Sequence, residues 1–465
     1  VLVALPAAVR IAGAVRPPSA SRAGADGPTN LLLVSVDTLR ADALGSMGNP
    51  RARTPCLDRI ARRSVVASTC VAPSPWTLPS LGTLLTGTYP GEHRVLQHLS
   101  GLSESVPTLA GACEGHGLRT GAFASNPWLG TRSLGRGFDD WDVAERLESL
   151  DAAAPTRIYQ ILSKIVLRAM RIDRAGVVTD RALSWLDRGR GAWFLWVHYF
   201  DPHLPNWPDR PWDRMFGPPP GRIEASLTVT EIRGAAWTGG DAERREIASL
   251  YYGEVAYTDR EIGRLWRRLE ERGDLDATAV VFSADHGEEL WDHEGYGHGH
   301  SMFDEVIRVP LFLRPPGGGE GRILPALARL VDLAPTALAL AGIETEGPAR
   351  FSGENLFATD TASHAAFGEA VLYGDELKYL QTDRWKLVRR PAAPGVPEST
   401  RLYDLKRDPA ERVDVAAVEQ EVAGMLSDRL AQWIEAVGSE AAPDPGRMAL
   451  DPVTREQLES LGYLE

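Results

Sequence analysis

Carboxylate, imidazole and hydroxyl side chains recur in this chain just past short apolar runs, and that placement is the first sign of chemistry. Ala279, Val280, Val281 and Phe282 form one such run, and Ser283-Ala284 leads from it straight into Asp285-His286-Gly287. A run of this length suits a strand buried on both faces. In open α/β sheets, ligands bind beyond the carboxyl ends of such strands. A carboxylate beside an imidazole suits a hard or borderline divalent cation better than a soft one. Four of the ten histidines, His286, His293, His298 and His300, fall in the loop that follows. The bland alternative is a capped turn carrying solvated histidines; clustering behind a buried strand weakens it, although two ligands do not complete a metal site.

The same arrangement occurs elsewhere. Leu31 to Val36 is a second buried-strand candidate and ends on Asp37; Ala192 to Phe200 is a third and leads to Asp201 and His203. Pro79 fits the first turn of a helix over roughly 79–86, which puts Thr77 at or just before its N-terminus. The simpler role for Thr77 is an N-cap. The functional one uses the free N–H groups there, which favour an anion or a developing oxyanion. Together the segments describe a metal held by Asp37, Asp285 and His286 beside the Thr77 hydroxyl. A divalent ion there would lower the pKa of that hydroxyl and orient it as a nucleophile.

The elements that must position these groups follow from pattern. Thr54 and Pro55 open a short helix, and helices are expected over 106–116, 145–190, 241–271, Leu324–Gly342 and 416–436. Strands are expected at Thr120–Ala124 and Val309–Leu313. A Pro- and Trp-rich insert over 205–240 reads as a surface loop shaping a mouth or lid. From about residue 366 short alternating segments, Lys378–Gln381 and Trp385–Arg389, indicate antiparallel strands. The fold class is therefore α/β, a mostly parallel central sheet flanked by helices, with a small C-terminal α+β subdomain. The expected divisions are 1–29, an N-terminal leader or disordered arm; 30–365, the catalytic domain; 366–440, the C-terminal subdomain; and 441–465, a tail.

Composition narrows the class. The 465 residues carry 50 Lys and Arg against 63 Asp and Glu, a net charge of −13, which argues against nonspecific nucleic-acid binding. Three cysteines, Cys56, Cys70 and Cys113, are neither an even set nor in metal spacing, so no disulfide framework is implied. The apolar start of the chain is interrupted by Arg10 and is too short to span a bilayer. Read as a leader, it favours a periplasmic or secreted protein over a cytoplasmic one.

With these residues in place, the chain resembles the sulfatases of the alkaline phosphatase superfamily from about Asn30 to its end. NLLLVSVDTLRAD is similar to the family's first metal-binding strand, and TLPSLGTLLTG to its nucleophile motif, Cys/Ser-x-Pro-Ser-Arg followed by Leu-Thr-Gly. HYFDPHLP, the stretch EVAYTDREIGRLWRRLEERGDLDATAVVFSADHGE, FDEVIRVPL, VDLAPTALALAG, DRWKLVRR and RLYDLKRDPAER follow in family order. Thr77 stands where the family has the Cys or Ser that becomes formylglycine, and Leu81 stands for the motif's Arg. Ala124-Ser125-Asn126-Pro127-Trp128-Leu129 replaces the usual Gly-Lys-Trp-His-Leu-Gly.

The resemblance implies a hydrolase of sulfuric or phosphoric esters with one divalent cation (Ca2+, Mg2+, Mn2+ or Zn2+) on Asp37, Asp285, His286 and Thr77. Thr77, His203 and His300 are the implied catalytic residues; Asn126 and His298 would hold substrate oxygens. Asp201, His203 and His300 are the set that could hold a second metal. Threonine cannot form the formylglycine hydrate, so phosphodiester or phosphonate substrates are slightly favoured over sulfate esters, whether small molecule, glycan or lipid. Transfer of a phospho group to a lipid or glycan headgroup and an inactive anion-binding scaffold are the alternatives. A zinc-protease reading of His293-Glu294 fails because Gly297 stands where the second ligand would be, and Gly295-x-Gly297-x-Gly299 is an incomplete nucleotide loop.

Overall fold

The computed structural model describes residues 10–11, 29–97, 100–126, 129, 134–143, 174–204, 206–217, 239–344, 351–358, 365–439 and 441–442. The expected tail beyond 442, the 145–173 part of the helical stretch, and most of the N-terminal arm and of the 205–240 insert lie outside them.

The strands are β1 (Arg10–Ile11), β2 (Asn30–Val36), β3 (Val65–Val71), β4 (Arg119–Ala124), β5 (Asp140–Val143), β6 (Trp193–Tyr199), β7 (Thr278–Ala284), β8 (Glu289–Leu290) and β9 (Tyr296–Gly297). They continue with β10 (Arg308–Val309), β11 (Leu311–Arg314), β12 (Arg322–Arg329), β13 (Ala366–Gly368), β14 (Lys378–Gln381), β15 (Trp385–Arg390) and β16 (Ser399–Asp404). A ten-stranded sheet runs in the order β1-β12-β3-β11-β7-β2-β6-β4-β5, with β10 added on β3. Its pairs are parallel except those made by β10 and β11. Strands β6 and β7 are buried at every position, and β2 at every position after Asn30, as apolar runs covered by helices on both faces must be. β2 lies between β7 and β6 in a register that pairs Val36 with both Ala284 and Tyr199. The next residues, Asp37, Asp285 and the Phe200-Asp201 segment, therefore leave the sheet side by side.

The helix Asp241–Arg272 has the expected extent and buries Ile247, Leu250, Tyr251, Val255, Ile262, Leu265 and Leu269. It also caps another helix. The Asp259 carboxylate accepts the free N–H groups of Cys56 (3.1 Å) and Leu57 (2.7 Å), at the start of the helix Pro55–Ala61. Thr54 stands at the N-cap position but makes no capping bond; its oxygen accepts from Gly45 N–H instead.

The expected strand Val309–Leu313 is two strands, β10 and β11, broken at Pro310. Leu324–Gly342 is not a single helix: β12 comes first, and the helix proper is Leu333–Ala341. Pro325 is poorly placed for a helix interior, and β3 offers the segment parallel pairing with an irregularity between Leu324 and Leu327. Strands β3 and β5 were not anticipated either; the alternation in VVASTCV is broken by polar residues on a partly covered face.

A second, four-stranded antiparallel sheet in the order β13-β14-β15-β16 forms the C-terminal part. The helix Gln420–Ser439 packs on it through Leu426 and Leu430 against Leu380, Leu387 and Leu402. A buried ion cluster ties this sheet to the main body: Lys386 Nζ lies 2.7 Å from Asp304 and 2.7 Å from Glu411. Lys386 and Glu411 side chains are both fully buried, so removing one partner strands the other. Lys386→Ala is expected to destabilise the protein by about 3–5 kcal/mol, read as a lower urea midpoint. Lys386→Met with Glu411→Gln and Asp304→Asn, which removes all three charges, should lose clearly less; an equal loss would assign the effect to packing.

Candidate metal centre and active site

Asp37, Asp285 and His286 meet at the carboxyl ends of β2 and β7, all fully buried. His286 Nε2 stands 3.5 Å from Asp37 Oδ1, 3.6 Å from Asp285 Oδ2 and 3.3 Å from Thr77 Oγ1. Its other nitrogen, Nδ1, is 2.9 Å from the Gly287 carbonyl. A carbonyl only accepts, so the proton belongs on Nδ1 and Nε2 presents its lone pair to the two carboxylates and the hydroxyl. Thr77 is the first residue of the helix Thr77–Thr86, two residues earlier than expected, with Trp76 at the N-cap position. Ser74 Oγ and Trp76 Nε1 both donate to the Ala370 carbonyl, at 3.0 and 2.6 Å, so the loop past β13 props the segment that carries Thr77.

The carboxylates are held from outside the centre. Asp285 Oδ1 accepts from its neighbour His286 N–H (2.8 Å) and from Thr38 N–H (3.3 Å), leaving Oδ2 without a hydrogen-bond partner. Thr38 sits at φ 53°, an outlier for a β-branched residue, and Tyr251 donates to its carbonyl at 2.9 Å. Asp37 Oδ2 accepts from Asn126 Nδ2 at 2.6 Å, while Oδ1 has no hydrogen-bond partner. Asn126, expected on substrate oxygens, thus spends an amide N–H on Asp37.

The histidines divide into two groups. His203 Nδ1 is 2.6 Å from the Leu204 carbonyl, and its ring stacks on Phe200 with centroids 4.4 Å apart. His298 lies between His203 and His286, at ring separations of 4.9 and 4.6 Å, with Nδ1 3.0 Å from the buried Glu288 carboxylate. His300 instead pairs through Nε2 with Glu289, 2.8 Å away. Asp201 accepts from Ala175 N–H at 2.8 Å and pairs with Arg174 at 3.5 Å. The expected second-metal set is therefore not assembled: two of its three members are engaged with a guanidinium and a carboxylate of their own. His300 joins the Glu289 cluster rather than the His203 and His298 rings.

Sequence reasoning missed His198. It lies inside β6 among residues taken as plain core, yet its Nε2 stands 3.6 Å from Asp37 Oδ2 and has no hydrogen-bond partner. Asp37, His198 and Asp285 offer ligand atoms all within 4.8 Å of one another. The available signal was a histidine in register with Ser35, two residues before Asp37 on the adjoining strand. Glu288, behind His298, was missed too.

Electrostatics favour a cation here. Burial alone would raise Asp37, but the imidazoles of His203, His198 and His286 hold it well below the usual carboxylate range. Burial, and then the charge of Asp37, push Asp285 well above that range. Two facing carboxylates cannot both ionise cheaply without a positive charge between them. The spacing agrees: donors about 2.1 Å from one ion lie about 3.0–3.5 Å apart along the edges of an octahedron or tetrahedron. The observed 3.3 to 3.6 Å separations are too long for good hydrogen bonds and fit such edges. The residues present fit a divalent cation.

A mostly parallel sheet with acidic and imidazole groups beyond its central strands, facing a hydroxyl at a helix start, is the arrangement of an alkaline phosphatase-like hydrolase. The family model described as Sulfatase matches residues 29–343, and the N-sulphoglucosamine sulphohydrolase C-terminal model matches residues 293–436. The chain belongs to the sulfatase family and is a sulfatase-like hydrolase. It is 24% identical over 455 residues to arylsulfatase K of Bos taurus, covering 88% of this chain and 82% of that protein. It is 26% identical over 484 residues to the multifunctional alkaline phosphatase superfamily protein PehA of Trinickia caryophylli, covering 83% and 91%. The fold matches the phosphonate monoester hydrolase of Agrobacterium radiobacter with a TM-score of 0.69 at 22% identity, over 91% of this chain and 100% of that one. It also matches, at a TM-score of 0.70 and 19% identity over 89% and 98% of the chains, an enzyme solved with D-glucosamine-2-N,6-O-disulfate as its substrate. No helix among the described residues is long and apolar enough to cross a membrane.

Proposed function

We propose that this protein hydrolyses esters of tetrahedral phosphorus or sulfur anions, phosphodiesters and phosphonate monoesters ahead of aryl sulfates, with Thr77 as nucleophile. Asp37, Asp285 and His286 would hold one divalent cation beside it. The observation that carries this reading is the Thr77 hydroxyl, 3.3 Å from His286 Nε2 at the first position of a helix. When bound, such a cation supplies Lewis acidity toward a substrate oxygen and toward an adjacent hydroxyl.

The chain's own residues account for the rest. The Thr77 oxygen attacks phosphorus or sulfur in line, its proton passing to solvent, and the bond to the leaving oxygen breaks. Water then opens the threonyl ester and restores the hydroxyl. The free N–H groups of the helix Thr77–Thr86 favour charge developing on the non-bridging oxygens. Burial pushes the His203 imidazole down to about 4 against the pull of Asp37, so the ring is neutral at rest. An arriving substrate anion favours its protonated form, which can then supply the leaving oxygen with a proton. His298, oriented by Glu288, is placed beside it for the same task.

Substrate preference follows from what surrounds Thr77. Leu81, where the family motif has Arg, is fully buried in the core, and Ser125 is buried as well. Loss of those cations weakens the hold on a dianion such as a phosphate monoester, since charge-assisted bonds are about twice as strong as neutral ones; the choice against sulfate esters rests on Thr77, which cannot form the formylglycine hydrate. Matched nitrophenyl esters should therefore be cleaved in the order phosphonate monoester or phosphodiester above sulfate, by about 10-fold or more in kcat/KM, roughly 1.4 kcal/mol. Faster sulfate cleavage would reverse the assignment.

A further inference from the structure

Resting on the reading that this centre holds one divalent cation, we infer that His198 is an additional ligand and that the site takes zinc or ferrous iron in preference to calcium or magnesium. His198 Nε2 and His286 Nε2 approach the Asp37 carboxylate from its two oxygens, at 3.6 and 3.5 Å. His198 is fully buried, and its Nε2, Asp37 Oδ1 and Asp285 Oδ2 are buried atoms without hydrogen-bond partners. Ligand atoms of Asp37, His198 and Asp285 all lie within 4.8 Å of one another, and unpartnered polar atoms gathered in a core are costly unless something joins them.

The support behind His198 is that of a ligand. Ser35 Oγ lies 2.9 Å from His198 Nδ1 and also takes the Trp196 indole N–H at 2.9 Å. The hydroxyl oxygen has two lone pairs, so it can accept from Trp196 and from His198 Nδ1–H together. With a cation on Nε2 the His198 proton must sit on Nδ1, and the Ser35 oxygen is there to accept it. The Trp196 ring, 5.8 Å from the imidazole, and the register of Ser35 with His198 fix the ring in the sheet. His286 is oriented the same way by the Gly287 carbonyl. Such outer partners are the usual device for aiming a metal-bound histidine.

The donor set then becomes two imidazoles, two carboxylates and the Thr77 hydroxyl. All-oxygen sets suit calcium and magnesium, whereas imidazoles suit zinc and iron. The second imidazole is what moves the balance.

The test uses the full chain stripped of metal and titrated with Zn2+ and Ca2+ against a chromophoric chelator, alongside His198→Gln and Ser35→Ala. The wild type should bind Zn2+ at least about 100-fold more tightly than Ca2+. His198→Gln should lose about 100-fold or more of its Zn2+ affinity with little change for Ca2+. Ser35→Ala, which keeps the ring, should lose about 10-fold, the lower end for outer partners. Pulsed electron paramagnetic resonance of the Cu2+-loaded wild type should count two coordinated imidazoles, a readout that needs no variant to fold. One imidazole in the wild type, or Zn2+ affinity unchanged in a folded His198→Gln, would overturn the inference while leaving the one-cation reading intact. No divalent binding by the wild type would overturn both.

Discussion

Thr77→Ala is expected to give a folded protein whose turnover of the best nitrophenyl ester falls by about 10^4-fold or more. That is roughly 5.5 kcal/mol of lost transition-state stabilisation. The fold should survive because the Thr77 side chain caps nothing: the N-cap position belongs to Trp76, and the hydroxyl's neighbour is His286 Nε2. Alanine also removes no volume that the core relies on beyond one hydroxyl and one methyl. Thr77→Ser keeps the oxygen at the helix start and should retain activity to within about 10-fold, at the cost of one methyl's packing. Mass spectrometry of the Thr77 peptide should show unmodified threonine, since neither Cys nor Ser occupies the motif's first position. Undiminished turnover in Thr77→Ala would move the nucleophile elsewhere, and a modified residue at 77 would replace the hydroxyl mechanism altogether.

The legible part of the site was whatever lies at strand ends. Asp37, Asp285 and His286 follow apolar runs, and a run that must be buried leaves little choice about where the next polar residue emerges. The fold class was legible for the same reason: β2, β6 and β7 are short unbroken apolar segments alternating with helical patterns. His198 was hidden because a histidine between Val197 and Tyr199 looks like one more core residue. Only the parallel register, set by residues far apart in sequence, brings it against Ser35 and Asp37. Asn126 and His300 had plausible residue types, but their partners are decided by tertiary contacts that no spacing encodes. The strand β12 was lost to a helix because a short apolar run with alanines reads either way.

Asp285→Asn offers the sharpest separation between a functional and a structural carboxylate. The amide oxygen can still accept from Thr38 N–H and His286 N–H, so the strained turn at Thr38 keeps its support. What changes is Oδ2, the unpartnered atom facing His286, which becomes an NH2 group that cannot ligate. Bound divalent metal should fall from about one per chain to less than about 0.1, with turnover down by about 10^4-fold or more. Asp285→Ala should lose the metal as well, with the fold retained but less stable because two N–H groups lose their acceptor. Stability should move the other way in Asp285→Asn. In the metal-free wild type, burial and then the Asp37 charge hold the Asp285 carboxyl well above its ordinary value. The folded chain keeps a proton there that the unfolded chain releases, so folding is increasingly disfavoured as pH rises past the ordinary carboxyl range, about 4. Asparagine has no proton to release. Asp285→Asn should therefore be more stable than metal-free wild type at neutral pH, with the gap closing toward pH 4. Urea unfolding in chelator at the two pH values measures it, and full metal occupancy in either variant would remove Asp285 from the ligand set.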